Sequence, residues 1–197
     1  MKYIELSIKD TEEASAKLAQ KIGQDFKPDV VIFVAKGSLI IGDTISKYFG
    51  VPLVEIYAVR DGNKFKDLVS PILKIIPKSI KVYLRKKEFE SGVHSKNAER
   101  RVYLNQGFEK LERAQNILVV DDSVDTGNTV KQVHGYIINK FGKKSVRLAS
   151  LNYFEESIQI FRVDYSLYKD TILIGPWSKD SKYYSDFVKR YEEWEKN

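Results

Sequence analysis

One stretch of the sequence combines the residue types that bind metal ions, sugar hydroxyl groups and phosphate. An apolar run at residues 117–120 is followed directly by Asp121 and Asp122. Two adjacent carboxylates repel each other, so a cation or a set of hydroxyl donors is expected to compensate their charge. These two residues are therefore candidates for binding Mg²⁺ or the hydroxyl groups of a sugar.

The residues that follow the acidic pair are suited to binding an anion. Asp125 lies in the middle of the expected turn, and Thr126-Gly127-Asn128-Thr129 begins the next predicted helix. Glycine lets the backbone approach a ligand closely, the first amides of a helix are free to donate, and the threonine hydroxyls are additional donors. One loop thus offers carboxylates for hydroxyl groups and amides for a phosphate, which are the groups that a ribose phosphate requires.

The elements that must position these residues alternate between strands and helices. Strands are predicted at residues 29–35, 52–59, 101–104, 117–120, 145–151 and 171–174, and helices at 10–22, 39–49, 65–76, 129–141 and 181–194. Asp10 and Glu13 have the spacing of a capping box at the start of the first helix. Apolar strands separated by helices indicate a parallel sheet that is covered on both faces. Ligands bind such sheets at the carboxyl ends of the strands, so the turn at residues 36–38 is expected near the acidic loop.

Residues 119–129 resemble the motif with which type I phosphoribosyltransferases bind 5-phosphoribosyl 1-pyrophosphate (PRPP): two acidic residues, a turn and Asp-Thr-Gly-x-Thr. The resemblance implies an α/β fold with a mostly parallel central sheet flanked by helices, and a small hood formed partly by the C-terminal region. It also implies one domain over residues 1–197, Mg²⁺ as the cofactor, and Asp125 as the catalytic group that takes a proton from N7 of a purine. The PRPP-binding residues that it implies are Asp121, Asp122, Ser123, Val124, Asp125, Thr126, Gly127, Asn128 and Thr129, of which Asp121 and Asp122 also bind the metal.

A second turn is similar to the pyrophosphate loop of the same family. It comprises Ala35-Lys36-Gly37-Ser38 and follows the first of the apolar strands. In relatives this loop often contains a cis peptide bond that does not precede proline, and by position that bond is expected between Ala35 and Lys36. The resemblance implies that Lys36, Gly37 and Ser38 bind the pyrophosphate group.

Residues 170–177, Asp-Thr-Ile-Leu-Ile-Gly-Pro-Trp, are similar to the base-binding strand of bacterial 6-oxopurine phosphoribosyltransferases. The similarity implies that Ile172 packs against the base and that Leu173 offers it backbone groups. Asn152 is the nearest match to the lysine with which those enzymes contact the purine O6. Because asparagine can donate or accept a hydrogen bond, it suits a 6-oxo or a 6-amino group. Asp180 matches an acidic residue that holds a second Mg²⁺ in relatives.

The composition excludes several other kinds of site. The chain of 197 residues contains no cysteine, so disulfides, thiolate nucleophiles and cysteine-bound zinc are excluded. Its net charge is +6, but the 33 Lys and Arg residues are interleaved with the 27 Asp and Glu residues, which does not favour a nucleic-acid site. No apolar run has the length that a membrane span requires, and a cytoplasmic location is expected.

The hypothesis that the resemblance favours is a Mg²⁺-dependent transfer of the 5-phosphoribosyl group from PRPP to a purine, with a 6-oxopurine as the first choice. Adenine is an alternative base, and a non-catalytic sensor of PRPP or nucleotides is an alternative function. A receiver domain, which also has paired acids after a strand, is excluded because that strand opens such a domain, whereas here it lies past the middle of the chain. The resemblance further implies a homodimer or higher homo-oligomer, and residues 85–104 lie where relatives have a mobile hood.

Overall fold

The structure, a computed structural model, describes residues 2–60 and 100–196. The chain divides into two compact units, which are Met1–Ala58 with Val102–Asn197 and, separately, Val59–Arg101. The helix predicted at residues 65–76 and most of the segment at residues 85–104 lie outside the described residues. The single domain predicted from the sequence stays a prediction.

Strands and helices alternate along most of the described chain. In chain order, the elements are β1 (Lys2–Glu5), α1 (Ile8–Ile22), β2 (Val30–Val34), α2 (Leu39–Phe49), β3 (Leu53–Arg60), β4 (Arg100–Tyr103), α3 (Phe108–Arg113), β5 (Asn116–Val124), α4 (Asn128–Phe141), β6 (Ser145–Tyr153), a 3₁₀ helix (Glu155–Gln159), β7 (Tyr165–Lys169), β8 (Thr171–Ile174) and α5 (Tyr184–Lys196). Helix α2 and strand β8 have the bounds that the sequence predicts. The sequence does not predict β1, α3, the 3₁₀ helix or β7. Among the helices of the described part of the chain, none has both the length and the apolar character to cross a membrane.

Helix α1 begins before its predicted position because its N-cap is Ser7 and not Asp10. The Ser7 hydroxyl accepts a hydrogen bond from the Asp10 N–H at 3.1 Å, and the Asp10 carboxylate accepts one from the Ser7 N–H at 2.9 Å. These reciprocal bonds form a capping box. The predicted capping box at Asp10 and Glu13 is therefore wrong, because the observed box lies three residues earlier.

The main sheet has the strand order β4-β3-β2-β5-β6-β7. The pairs β2–β3, β2–β5, β5–β6 and β6–β7 are all parallel. Strands β1 and β8 form a separate parallel sheet of two strands. The α/β fold class with a mostly parallel central sheet is thereby confirmed.

Helices cover the sheet on both faces, and successive residues of β2 alternate between the two cores that result. Val30 and Ile32 lie in one core with α4, to which Val133 belongs. Val31 lies in the other core, which α1 and α2 cover and which includes Leu18 of α1. All five residues of β2 are buried, which explains why this strand is an uninterrupted apolar run in the sequence.

The C-terminal helix α5 is fixed beside the start of α2. Its Trp194 ring meets the buried Phe33 ring of β2 edge-on, with the centroids 5.5 Å apart. Arg190 of the same helix donates to Glu12 of α1 at 2.5 Å and to Asp43 of α2 at 3.0 Å. These contacts place α5 next to the turn that joins β2 to α2.

We expect Gly42→Ala to destabilise the protein by about 1–3 kcal/mol, because a Cβ on this face of α2 overpacks the core. That atom would lie 2.8 Å from Phe33 Cβ and 3.1 Å from Leu53 Cδ1. Gly135 of α4 is the matched control, since a Cβ there meets nothing within 4 Å. Gly135→Ala is expected to stabilise by about 0.5–1 kcal/mol through helix propensity. Urea unfolding measures both changes, and equal effects at the two positions would contradict the close packing of α2 on β2.

Candidate active site

Strand β5 is longer than the apolar run that predicts it and includes the acidic pair. Its parallel pairing with β6 continues beyond the apolar residues, through Asp121 opposite Ser150 and Ser123 opposite Asn152. Backbone pairing with a neighbour thus keeps polar residues extended where their own strand preference is weak. The result is that the acidic pair lies at the carboxyl end of a central strand.

The surroundings of the two carboxylates make their ionised forms unfavourable. Asp121 is only 7% exposed, and its carboxylate accepts a hydrogen bond from the Asp122 N–H at 3.0 Å. Burial raises the pKa of Asp121 well above its usual value, and the neighbouring charge of Asp122 raises this pKa further. Burial also raises the pKa of Asp122, although hydrogen bonds from Asp121 and Trp177 oppose that rise. A ligand with hydroxyl groups or a cation would relieve this cost.

The two turns that the sequence selects as ligand-binding meet in the structure. A Cβ added to Gly37 would lie 3.1 Å from Asp122 Cγ and 3.1 Å from Trp177 Cδ1, so any larger residue here would be tightly packed against these side chains. The turn at residues 36–38 therefore adjoins the acidic pair, as expected for the carboxyl ends of neighbouring strands. The Ala35–Lys36 peptide bond is cis, which confirms that prediction.

Trp177 is a site residue that the sequence predictions do not include. It lies beside Gly37 together with Asp122, and its side chain lowers the pKa of the Asp122 carboxyl, which opposes the effect of burial. The available signal is the Gly-Pro-Trp sequence after β8, which resembles the end of a base-binding strand. The contact with the acidic pair depends on tertiary packing and has no counterpart in the local sequence.

Lys36 and Ser38 differ in what they present to a ligand. The Lys36 ammonium group lies 4.2 Å from the centroid of the Tyr191 ring in α5, a distance typical of a cation–π contact. Tyr191 donates to the buried carboxylate of Glu55, to which the Tyr57 hydroxyl also donates at 2.8 Å. Ser38 is fully buried and donates its hydroxyl to the carbonyl of the strand before it. Lys36 is thus held by an aromatic ring, whereas the Ser38 hydroxyl is bonded within the fold.

The predicted phosphate loop forms the start of α4 and lies against the 3₁₀ helix. Gly127 has φ +81°, a left-handed conformation that favours glycine. A Cβ on Gly127 would lie 2.9 Å from the carbonyl oxygen of Ser157 and 3.1 Å from the Phe161 nitrogen. The N-cap residue of α4 is Gly127, which has no side chain to cap the first amides, and Asn128 donates to the Thr126 hydroxyl at 3.2 Å. Amides without a side-chain cap at a helix start are suited to a phosphate group.

The predicted general base and the predicted base-reading residue are connected through Ser123. The Ser123 hydroxyl donates to Asp125 Oδ1 at 3.1 Å, and Asn152 Nδ2 donates to Ser123 Oγ at 3.1 Å. Asn152 is fully buried, and its Oδ1 accepts from the Thr171 N–H at 3.2 Å. A direct contact of Asn152 with a base would have to break these bonds, so its base-reading role stays a prediction that the observed contacts do not favour.

The remaining predicted residues lie in or near β8. Ile172 is 8% exposed and Leu173 is partly buried, and both pair with β1. The Asp180 N–H contacts the Ser178 hydroxyl at 3.4 Å. Within residues 2–60 and 100–196, no three His, Cys, Asp or Glu side chains form a group that could hold a metal. The structure does not, therefore, gather Asp180 and the acidic pair into one protein-only metal site.

Solved structures with the same fold cover most of the chain. A xanthine-guanine-hypoxanthine phosphoribosyltransferase from Helicobacter pylori is 16% identical, with 97% of this chain and 99% of that chain covered and a TM-score of 0.64. A purine phosphoribosyltransferase from Pyrococcus horikoshii Ot3 is 20% identical, with coverage of 92% and 97% and a TM-score of 0.58. An adenine phosphoribosyltransferase from Thermoanaerobacter pseudethanolicus is 14% identical, with coverage of 82% and 80% and a TM-score of 0.50.

At the level of sequence, a comparison with curated proteins finds no match. The family model described as phosphoribosyl transferase domain matches residues 6–168, which include both turns that are predicted to bind ligands and the strands that position them. Since that match spans most of the chain, the protein belongs to the phosphoribosyltransferase family and is an enzyme of this type.

Proposed function

We propose that the protein transfers the 5-phosphoribosyl group of PRPP to a purine base and releases pyrophosphate, with a 6-oxopurine as the first choice of base. The observation that supports this most directly is the close approach of Gly37 to Asp122, whose Cγ would lie 3.1 Å from a Cβ added to Gly37. It brings a turn suited to pyrophosphate next to carboxylates suited to ribose hydroxyls. The phosphate loop follows the same carboxylates along the chain, so the groups that PRPP requires occur in one continuous region.

In the proposed reaction, each turn acts on a different part of PRPP. The amides of residues 126–129 would bind the 5-phosphate, and Asp121 and Asp122 would accept hydrogen bonds from the ribose hydroxyls. A ring nitrogen of the base forms a bond to C1′ of the ribose, and the bond from C1′ to pyrophosphate breaks, its electron pair leaving with the pyrophosphate. Asp125 accepts the proton from N7 of the base. The protein contributes mainly positioning and electrostatic stabilisation.

The residues near the two turns fit Mg²⁺ as part of this proposal. Mg²⁺ prefers oxygen ligands and commonly binds one or two carboxylates together with substrate phosphates. Asp121 and Asp122 are such carboxylates, and burial raises the pKa of each, so a cation bound beside them would stabilise their ionised forms. When bound, Mg²⁺ would neutralise charge on the departing pyrophosphate. The assignment of Asp180 to a second Mg²⁺ is the weaker part, since Asp180 does not join the acidic pair in a metal-binding group.

One segment of the sequence and three solved structures support a purine as the acceptor. Residues 170–177 resemble the base-binding strand of 6-oxopurine enzymes, and two structures of the same fold belong to enzymes named for xanthine, guanine and hypoxanthine or for purines. A third belongs to an adenine enzyme, which leaves adenine as the alternative. A homo-oligomeric state and a cytoplasmic location, both implied by the resemblance, are part of the same proposal.

The test is pyrophosphate release from PRPP with Mg²⁺ in the presence of hypoxanthine, guanine, xanthine, adenine or uracil. We expect release with at least one purine and none with uracil or without a base. Release with adenine alone would replace the first choice by the alternative. Binding of PRPP with no release for any base would instead favour a non-catalytic sensor.

A variant of the phosphate loop tests the binding of PRPP separately from turnover. Thr126→Val keeps the shape of the side chain but removes a hydroxyl donor, so we expect roughly tenfold weaker PRPP binding. Thr44→Val is the matched control, because the Thr44 hydroxyl donates to the Ile40 carbonyl within α2, away from this loop. Calorimetric titration with PRPP and Mg²⁺ measures both. Equal PRPP affinity of parent and Thr126→Val would show that this loop does not hold the 5-phosphate.

A further inference from the structure

A hydrogen-bonded chain connects the carboxylate of Asp125 to the backbone of β8. It runs from the Thr171 N–H to Asn152 Oδ1, from Asn152 Nδ2 to Ser123 Oγ, and from the Ser123 hydroxyl to Asp125 Oδ1. We propose that Ser123 and Asn152 are positioning residues that hold the Asp125 carboxylate in place for the proton of the base. The proposal rests on the proposed function, since it concerns the same reaction.

The donor and acceptor at every link of this chain are fixed by its first member. A backbone N–H can only donate, so the Asn152 atom 3.2 Å from the Thr171 nitrogen must be the amide oxygen. The amide nitrogen then faces Ser123, and the hydroxyl oxygen accepts there at 3.1 Å. Because a hydroxyl has a single proton, Ser123 directs it to Asp125. The ionised form of Asp125 therefore receives a donor whose direction is set by buried groups.

The burial of Asn152 makes this arrangement rigid. Asn152 is 0% exposed, and its backbone pairs directly opposite Ser123 in the β5–β6 ladder. Its own carbonyl accepts a hydrogen bond from the Ser150 hydroxyl at 2.8 Å. A buried amide with both ends bonded holds one orientation, because turning it would leave polar groups unpaired. Ser123 thus has a fixed partner on the side away from Asp125.

These hydrogen bonds also connect two sheets that have different roles in the proposed reaction. Ser123 and Asn152 belong to the main sheet, whereas Thr171 begins β8 in the two-stranded sheet. The next two residues of β8, Ile172 and Leu173, are the ones proposed to bind the base. Asn152 therefore fixes the distance between the proposed base-binding strand and the proposed proton acceptor, Asp125. Proton transfer from the base depends on this distance.

The test compares Ser123→Ala and Ser123→Thr with the parent enzyme, using the base that gives the fastest pyrophosphate release. We expect Ser123→Ala to lower kcat roughly 10- to 100-fold, since a small misplacement of a catalytic group has effects of this size. The KM for PRPP should stay within about twofold: the resemblance includes Ser123 in the PRPP-binding loop, but its hydroxyl donates to Asp125, and the substitution leaves its backbone in place. Ser123→Thr keeps the hydroxyl and should restore most of kcat. Ser166→Ala is the matched control, since this serine of β7 donates to the Leu151 and Tyr168 carbonyls and should keep the kcat of the parent.

A double-mutant cycle distinguishes positioning from a general effect on structure. If Ser123 acts through Asp125, then Ser123→Ala should lower kcat in the parent but not further in an Asp125→Asn background. An active parent with unchanged kcat in Ser123→Ala, or with the same loss in both backgrounds, would overturn the inference alone. A parent that releases no pyrophosphate with any base would overturn the proposed function, and the inference with it.

The substitution Asn152→Asp tests the direction of the hydrogen bonds that connect Thr171 to Asp125. Asn152→Asp keeps the oxygen that accepts from Thr171 but replaces the amide donor by a second acceptor, which competes with Asp125 for the single Ser123 proton. We therefore expect Asn152→Asp to lower kcat about as much as Ser123→Ala, again with little change in the KM for PRPP. Thermal unfolding of each variant checks that the fold is retained. A folded Asn152→Asp protein with the kcat of the parent would contradict the proposed direction.

Discussion

Replacement of Asp125 by asparagine is expected to lower the turnover number roughly 10²- to 10⁴-fold and to leave PRPP affinity near that of the parent. Asparagine keeps the shape of the side chain and an oxygen that can accept from Ser123, which donates to Asp125 at 3.1 Å. It has no carboxylate to receive the proton of the base. The expected loss is therefore confined to the chemical step, and steady-state kinetics together with calorimetric titration of PRPP measure the two effects separately.

Asp186 provides the matched control for this substitution. It lies near the start of α5, is largely exposed, and approaches Lys189 only at 3.9 Å. Asp186→Asn removes the same charge from the chain and is expected to keep the parent values of kcat and KM. If Asp125→Asn also turned over at the parent rate, Asp125 would be a residue of the turn without a part in proton transfer.

The fold could be predicted where a local pattern and a terminating residue coincide. Helix α2 ends at Gly50, which has φ +66° and donates backward to the last turn, and the predicted bounds of this helix are the observed ones. The buried strands β2 and β5 were visible as apolar runs because both faces of the sheet are covered. The order of these elements and the acidic loop together were sufficient to identify the family.

The parts that the sequence did not reveal depend on pairing between distant segments. Strand β1 has four residues with an exposed or partly exposed pattern, and it exists because it pairs with β8. Strand β5 extends beyond its apolar run because β6 continues to pair with it. The same register places Asn152 opposite Ser123, which local patterns could not show. The spacing of residues along a strand identifies which faces are apolar but not which strand lies beside it.

This difference explains why the role predicted for Asn152 and its observed contacts diverge. The resemblance places Asn152 by its position near the end of a strand, where relatives have a lysine that meets the base. The structure shows the side chain fully buried between Ser123 and Thr171. A one-residue change in how two strands are aligned reverses the face on which a side chain lies, so position along the chain is a weak guide to such a contact.

The charge of Asp121 in the acidic pair is expected to strengthen ligand binding but to lower the stability of the ligand-free protein. Asp121 is 7% exposed, and burial together with the charge of Asp122 raises its pKa well above the usual value. A raised pKa in the folded state means that the folded protein binds the proton more tightly than the unfolded chain does. Stability is therefore lost as the pH rises from the ordinary pKa of the aspartate through the raised one. Ionisation of Asp121 therefore costs stability in the ligand-free protein, and the proposed binding of ribose hydroxyls and Mg²⁺ would offset that cost.

Asp121→Asn is accordingly expected to raise the Tm of the ligand-free protein, while PRPP binding in the presence of Mg²⁺ weakens roughly 10- to 100-fold through the loss of a charged acceptor. The Asn side chain keeps an oxygen for the Asp122 N–H, which contacts Asp121 at 3.0 Å. The gain in Tm over the parent should be larger at about pH 8 than at about pH 4, because the raised pKa of Asp121 in the folded protein costs the parent stability only above the ordinary pKa of an aspartate. Thermal unfolding at both pH values and calorimetric titration of PRPP provide the measurements, with Asp186→Asn as the exposed control. A lower Tm than the parent at both pH values would show that the charge of Asp121 stabilises the ligand-free fold, and unchanged PRPP affinity would remove Asp121 from the ribose site.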